Sequence, residues 1–296
     1  MLGATGQLGC DVARVAATKS LDLVPLGHDE VEVTKSESLK RALARIRPTV
    51  VINCAAFHQV DRCEDDPAQA LQVNALGALN VARSAEALGA KCVYISTDYV
   101  FSGKKPPSQD GIITDANSYR EMDTPAPVNV YGASKLTGEH LTAATQPEAL
   151  IVRVASLFGV AGARGKGGNF IETILKKAHD GEPLQVVNDQ FMTPTYTIDA
   201  ADAILRLVEI NAKDLIHVTN SGSCTWYDFA RKALEFSGLR ASVQPAPSST
   251  YPSKAKRPAN SALNTSLLTT LLGAPMRPWE KALHAYLNEK GHIPKA

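Results

Sequence analysis

Charge of one sign is what this sequence most conspicuously lacks. Its 296 residues carry 31 Lys and Arg against 30 Asp and Glu, a formal net charge of +1. Without a broad positive field, nucleic acid is excluded as a partner on charge alone. No apolar run approaches the roughly 18 residues of a membrane-spanning helix, and no basic-then-apolar leader opens the chain. A cytoplasmic protein with no membrane partner is expected. The five cysteines, Cys10, Cys54, Cys63, Cys92 and Cys224, contain no C-x-x-C pair, so they read as reduced thiols and not as a disulfide or zinc framework. With 44% hydrophobic and 21% charged residues, the chain has the composition of a globular protein of one large or two interleaved domains.

From Leu21 to Ala155, apolar runs alternate with helix-length segments. That order predicts an α/β fold, a Rossmann-type doubly wound parallel sheet. Strands are expected at 21–26, 49–55, 91–96 and 149–155. Thr34 and Glu37 have capping-box spacing for a helix ending near Arg47, before Pro48. Asp66 and Pro67 open a longer helix to about Leu88, closed by Gly89. Beyond Ser156 the pattern predicts helices over 170–179, 198–210 and 225–236 and strands at 184–187 and 215–220, with a Pro-, Ser- and Asn-rich stretch at the C-terminal end. The expected division is a dinucleotide-binding domain of residues 1–155 and 190–220 and a smaller α+β substrate lobe of residues 156–189 and 221–296.

Three short stretches carry chemistry. In "MLGATGQLG", Gly3, Gly6 and Gly9 form a G-x-x-G-x-x-G turn, where glycine lets backbone N–H groups approach a pyrophosphate at a helix N-terminus. A buried strand normally precedes such a turn, yet only Met1 and Leu2 stand in front of it. The expectation is an exposed sheet edge and a poorly aimed turn, corrected by about five more apolar residues ahead of it, a typical strand length. In "VYGASK", Tyr131 and Lys135 lie four apart and so share a helix face. An isolated pair of this kind is more often a surface contact. As a functional pair, the ammonium would draw the phenol pKa down toward the working range. In "YISTDYVF", Ser96, Thr97 and Asp98 end a strand, where open α/β sheets bind ligands.

These stretches, with "NCAAF", "VNALGALNVA", "GGNFIETIL", "DQFMTPTYT" and "KRPANSALN", resemble the dTDP-4-dehydrorhamnose reductase branch of the extended short-chain dehydrogenase/reductases over nearly the whole chain. The resemblance implies that Thr97 assists the reacting carbonyl, Tyr131 donates the proton, and Lys135 holds the nicotinamide ribose and lowers the phenol pKa. It places Gly3, Gly6, Gln7, Leu8 and Gly9 on the pyrophosphate, Ala55, Ala56 and Phe57 along the cofactor, and Asn74 as a brace of the active-site backbone. Asp98, Ser156 and Asn169 are expected beside the sugar; Arg257, with Arg164, Lys166 and Lys256 as further candidates, would meet the nucleotide phosphates. Gly27 and His28 stand where an acidic residue usually takes the NAD ribose. NADPH is therefore expected, with NADH allowed and His28 a candidate for its 2′-phosphate.

Two departures bear on substrate. Ser156 replaces a Trp that some members pack on the sugar, leaving Leu157 or Phe158 to form an apolar wall. Thr97 and Tyr131 are also further apart than in the family, the surplus being the polar stretch between Lys104 and Asp123, expected to border the pocket as a lid or obstruction. Some relatives form metal-bridged dimers; a homodimer and Mg²⁺ are allowed, but the sequence assigns no metal ligands. Two alternatives remain open: a silent NADP-binding regulatory subunit resembling the methionine adenosyltransferase β subunit, and a nucleotide-sugar epimerase or dehydratase.

Overall fold

The computed structural model describes residues 1–108, 110–162 and 168–294. In chain order the first half forms α1 (Gln7–Thr18), α2 (Ser36–Ile46), β1 (Val50–Asn53), α3 (Val60–Asp65), α4 (Pro67–Leu71), α5 (Gly77–Glu86), β2 (Lys91–Thr97), α6 (Val130–Thr145) and β3 (Leu150–Val154). The second half forms β4 (Leu157–Phe158), α7 (Phe170–His179), β5 (Leu184–Val187), β6 (Phe191–Met192), β7 (Thr195–Tyr196), α8 (Thr197–Glu209), β8 (Asp214–His217), β9 (Cys224–Thr225), α9 (Trp226–Phe236), β10 (Val243–Ala246), α10 (Ser266–Leu272) and α11 (Trp279–Glu289).

The central sheet is parallel in the order β1-β2-β3-β8. Alternation along its strands serves two faces. Ile52, Val93, Ile95 and Val152 join Leu8, Val12, Val15 and Ile204 on the α1 and α8 side. Val51 and Cys92 meet Leu39, Leu43 and Val81 of α2 and α5 on the other. Both faces are thereby covered, as an all-parallel sheet requires, and the Rossmann-type doubly wound expectation holds.

At the first-strand position the sequence expectation needs correction. Met1 and Leu2 occupy that place: Leu2 N–H donates to Ile52 O at 2.8 Å, Cys54 N–H to Leu2 O at 3.1 Å, and Leu26 N–H to Met1 O at 2.9 Å. Leu2 is 1% exposed and bridges Leu26 on one side and Asn53 on the other. Two residues thus bind both neighbours and deliver the chain to Gly3 from the sheet. Residues 21–26, expected as a full strand, form one β-bridge, at Leu26, with Val24 O also accepting from the Met1 amino group at 2.9 Å. Leu21 and Val24 are exposed, and Pro25 has no N–H for a ladder.

Local signals explain several helix ends. Asp66 accepts from Gln69 N–H at 2.9 Å, with Pro67 in the first turn. The helix continues through a π turn at Gln72–Leu76 into α5 and stops before Gly89 at φ 66°. The Thr34–Glu37 capping box does not form. Thr34 N–H is taken by Glu32, Glu37 pairs with Lys40, and α2 starts at Ser36. A capping box does occur at Thr225 and Asp228, opening α9. The C-terminal stretch is more ordered than its composition implies: α11 buries Trp279, Ala282, Leu283, Tyr286 and Leu287 in a second core with Phe158, Ile174, Leu184 and Phe229.

Candidate active site

A cleft of about 1410 Å³ separates the carboxyl ends of the central strands from the second core. Such crevices are the ligand sites of open α/β sheets. Gly3, Gly6, Gln7, Leu8 and Gly9 line it, with His28, Ala55, Ala56, Phe57, Thr97, Asp98, Tyr131, Lys135, Ser156, Leu157, Phe158, Asn169 and Arg257. Residues spread over the sequence thus converge on one cleft.

The glycine turn fits a pyrophosphate on geometric grounds. Gly3 has φ 75°, and a Cβ there would stand 2.8 Å from Ala55 N; at Gly9 it would stand 2.3 Å from Gly3 O. Only hydrogen allows so close an approach. Gly6 is the N-cap of α1 and supplies no side-chain acceptor, so the first-turn N–H groups stay available to an anion. Gln7 Nε2 donates to Leu157 O at 3.0 Å, while its Oε1 is buried without a partner.

The neighbouring loop is held by Asn74 in the π turn. Its Oδ1 accepts from Phe57 N–H at 2.8 Å, and its Nδ2 donates to Phe57 O at 3.0 Å and Ser134 Oγ at 2.9 Å. Ser134 in turn donates to Tyr131 O at 2.8 Å. One side chain therefore fixes the loop at Phe57 and the helix carrying Tyr131. Asn129 caps that helix by accepting from Gly132 N–H at 2.8 Å.

Tyr131 hydrogen-bonds Thr97, whose hydroxyl donates to Asp98 Oδ1 at 3.0 Å. Tyr99 meets the Tyr131 ring edge-on at 6.0 Å. Burial pushes the Tyr131 phenol well above its usual range, against the opposing pull of Thr97. This reverses the sequence expectation of a phenol lowered by Lys135. The ammonium of Lys135 points elsewhere, donating to Ile95 O at 2.5 Å and standing 4.1 Å from the Tyr94 ring centre. Burial, in turn, pulls Lys135 down to about 7. The arrangement thus keeps a protonated phenol at neutral pH, as an acid donor requires. Asp98 is pushed up to about 6, chiefly by burial, with nearby Ser261 and Thr97 opposing; its Oδ2 lacks a hydrogen-bond partner.

Other sequence candidates are placed as follows. Ser156 lines the cleft with φ 42°, a left-handed conformation uncommon for a non-glycine residue, and the apolar Leu157 and Phe158 line it beside Ser156. Asn169 borders the cleft, but its side chain is committed to capping α7 and to Tyr286 Oη at 2.9 Å. Arg257 lines the cleft while paired to Asp61 at 3.1 Å. Lys256 does not line it; its carbonyl instead accepts from Asn129 Nδ2. Arg164 and Lys166 lie outside the described residues. None of the described residues of 104–123 lines the cleft, correcting the expectation of a bordering lid. Tyr119 stacks on Phe101 with centroids 4.2 Å apart and its N–H binds Ala262 O, anchoring the insertion to the "KRPANSALN" segment.

The sequence reading missed two features of the wall. Glu32 lines the cleft with His28 Nε2 3.4 Å from its carboxylate, so the absence of acid at Gly27 does not leave this end free of carboxylate. Phe170 and Trp226, packed at 4.8 Å, add an aromatic surface from the second core. Both directly follow helix N-caps, a position sequence could have flagged. Among the described residues no group of three or more His, Cys, Asp or Glu side chains could hold a metal ion.

Residues 1–291 match the family described as RmlD substrate binding domain. The chain is 35% identical over 288 residues to the spore coat polysaccharide biosynthesis protein SpsK of Bacillus subtilis, covering 97% of this chain and 96% of that protein. It is 33% identical over 312 residues to dTDP-4-dehydrorhamnose reductase of Escherichia coli, covering 98% and 96%. The crystal structure of dTDP-4-dehydrorhamnose reductase from Bacillus anthracis in complex with NADP superposes with a TM-score of 0.88 at 34% identity, covering 97% of each chain. With its glycine turn, Thr97, Tyr131 and Lys135 on one cleft and this likeness along its length, the chain belongs to the dTDP-4-dehydrorhamnose reductase family.

Proposed function

We propose that the protein reduces the C4 keto group of dTDP-4-dehydro-L-rhamnose with NADPH, giving dTDP-L-rhamnose. The observation that carries this reading is the convergence of Thr97, Asp98, Tyr131 and Lys135 with the glycine turn on one cleft. When bound, the nicotinamide supplies the hydride. The protein's own residues do the rest. Thr97 and Tyr131 offer hydroxyls to the carbonyl oxygen, and Tyr131 Oη delivers the proton that neutralises the developing alkoxide, a step worth roughly 10²- to 10⁴-fold. Lys135 orients the nicotinamide ribose, Asn74 fixes the loop at Phe57, and Asp98 and Ser156 face the sugar. Arg257 is placed to exchange Asp61 for a nucleotide phosphate. Asn169 acts here by holding the start of α7.

The domain division fits this chemistry: residues 1–155 and 190–220 carry the dinucleotide, and residues 156–189 and 221–296 the nucleotide sugar. At the glycine-turn end of the cleft the His28 ring is near enough to donate a hydrogen bond to a 2′-phosphate, and Glu32 lies 3.4 Å from it. NADPH use is accordingly expected to be moderate in selectivity, with NADH also accepted. Replacing His28→Ala should raise the KM for NADPH several-fold and leave that for NADH nearly unchanged, measured by initial rates with each cofactor.

The direct test is NADPH oxidation followed at 340 nm with the keto sugar. Turnover with recovery of dTDP-L-rhamnose is expected, and Tyr131→Phe should lower kcat by about 10²-fold or more while retaining NADPH binding. Absence of turnover in folded, NADPH-binding protein would refute the assignment.

A further inference from the structure

We infer that Glu139, held by Arg153 and Ser96, is a positioning residue that keeps the Lys135 side chain charged and the Ser96–Thr97 strand end in place. This rests on the role proposed for Lys135 above. Glu139 lies four residues beyond Lys135 on α6, on the same helix face, and both are 2% exposed. Its carboxylate takes Arg153 Nε at 2.8 Å and Arg153 Nη2 at 2.7 Å, a two-pronged pair, and also accepts from the Ser96 hydroxyl. Ser96 directly precedes Thr97. Glu139 thereby links the helix carrying Tyr131 and Lys135 to the strand end carrying the carbonyl-binding hydroxyl.

A buried ion pair by itself is a poor argument for stability, because apolar replacements of similar shape are often as good or better. The location beside the reacting groups is what calls for a functional account. The groups facing Lys135 come from three elements. Ile95 O and the Tyr94 ring contact it from β2, the Cys54 thiol faces it from the end of β1, and Glu139 faces it from its own helix. Tyr131 lies one turn earlier on that helix. Burial pushes the Cys54 thiol up to about 12 and holds the Tyr94 and Tyr131 phenols well above their usual range. Among these groups Glu139 is the one carboxylic side chain, and it is paired with Arg153. Burial favours neutral Lys135, and Glu139 opposes it.

The sign follows directly. Removing the carboxylate lets Lys135 lose its proton at lower pH, so the alkaline limb of the kcat–pH profile should move down. In Glu139→Gln the expected movement is about one pH unit, with the Lys135 side-chain titration seen by NMR moving in the same direction. Glu139→Asp, which keeps the charge, should restore the limb toward its original position. Because Glu139→Gln leaves Arg153 buried and unpaired, the double variant Glu139→Gln/Arg153→Met serves as a second test without that uncompensated charge; it should show a movement in the same direction but smaller than that of the single variant. An unmoved limb and an unmoved Lys135 titration in either folded variant would overturn the inference, even if overall activity fell. Full activity in Lys135→Met would instead refute the underlying role of Lys135, an outcome separate from the NMR result.

Discussion

At the level of single residues, burial decides ionisation in this protein more than proximity does. His217 shows this away from the cleft. It is fully buried at the end of β8, its Nδ1 donates to Asn264 O at 3.1 Å, and its Nε2 has no hydrogen-bond partner. Burial, assisted by the Arg153 charge, lowers it to about 3, below its unfolded value of roughly 6.5. A base with a depressed folded pKa contributes stability above the unfolded pKa and loses it as protons bind the unfolded chain. Stability should therefore fall from about pH 6.5 toward pH 3, and His217→Gln should flatten that fall. Urea unfolding at pH 7 and 4.5 checks it; identical pH slopes for the two proteins would contradict the account. Asp98 has the opposite sign. Raised to about 6 by burial, it contributes most when protonated, and that contribution is lost as pH rises through 6. Asp98→Asn is expected to raise unliganded stability at pH 8 by on the order of 2 kcal/mol, at the expense of sugar binding; an unchanged unfolding free energy at pH 8 would count against this.

Among the elements, the continuous segment from α4 through the π turn to α5 best separates what is legible from what is not. Its start at Asp66 and Pro67 and its end before Gly89 follow from caps and backbone propensity. The π turn has no comparable sequence signature, because it adds one residue to a helical turn without demanding a residue type. Yet that turn aims Asn74 at Phe57 and Ser134. Asn74→Ala should destabilise the fold by about 1–3 kcal/mol, leaving the Phe57 N–H without its partner and the Phe57 C=O with the Cys63 thiol alone, and should raise the KM for NADPH. Unaltered cofactor affinity would show that the loop does not need the brace. The missed α11 is a different case, since its buried positions Trp279, Ala282, Leu283, Tyr286 and Leu287 follow the helical period. That signal was present and was masked by the Pro- and Ser-rich composition ahead of it. The short first strand was misjudged for a third reason: how many residues precede a turn does not say which hydrogen bonds those residues make.

In the whole molecule, two hydrophobic cores face one another across the cleft, one around the parallel sheet and one around Phe158, Phe229 and Tyr286. Ligands that contact both should stabilise both together. NADPH at about 100 times its Kd is expected to add about 2.7 kcal/mol, with a further increase when the nucleotide sugar is also present. Thermal melts with each ligand alone and with both provide the check; a melting temperature indifferent to NADPH would contradict a working dinucleotide site.

Some properties of this protein follow from the order of residues alone. The βαβ alternation, the glycine turn, the Tyr131–Lys135 spacing on a helix and the strand-end Thr97 and Asp98 are local patterns, each set by backbone geometry within a few residues. Other properties depend on distant segments meeting. The upward displacement of the Tyr131 phenol, the turning of Lys135 toward Ile95, the pairing of Glu139 with Arg153, the entry of Glu32 into the cleft and the anchoring of the insertion away from it required the tertiary structure. Desolvation and charge partnership arise from neighbours in space, and linear spacing does not specify those neighbours.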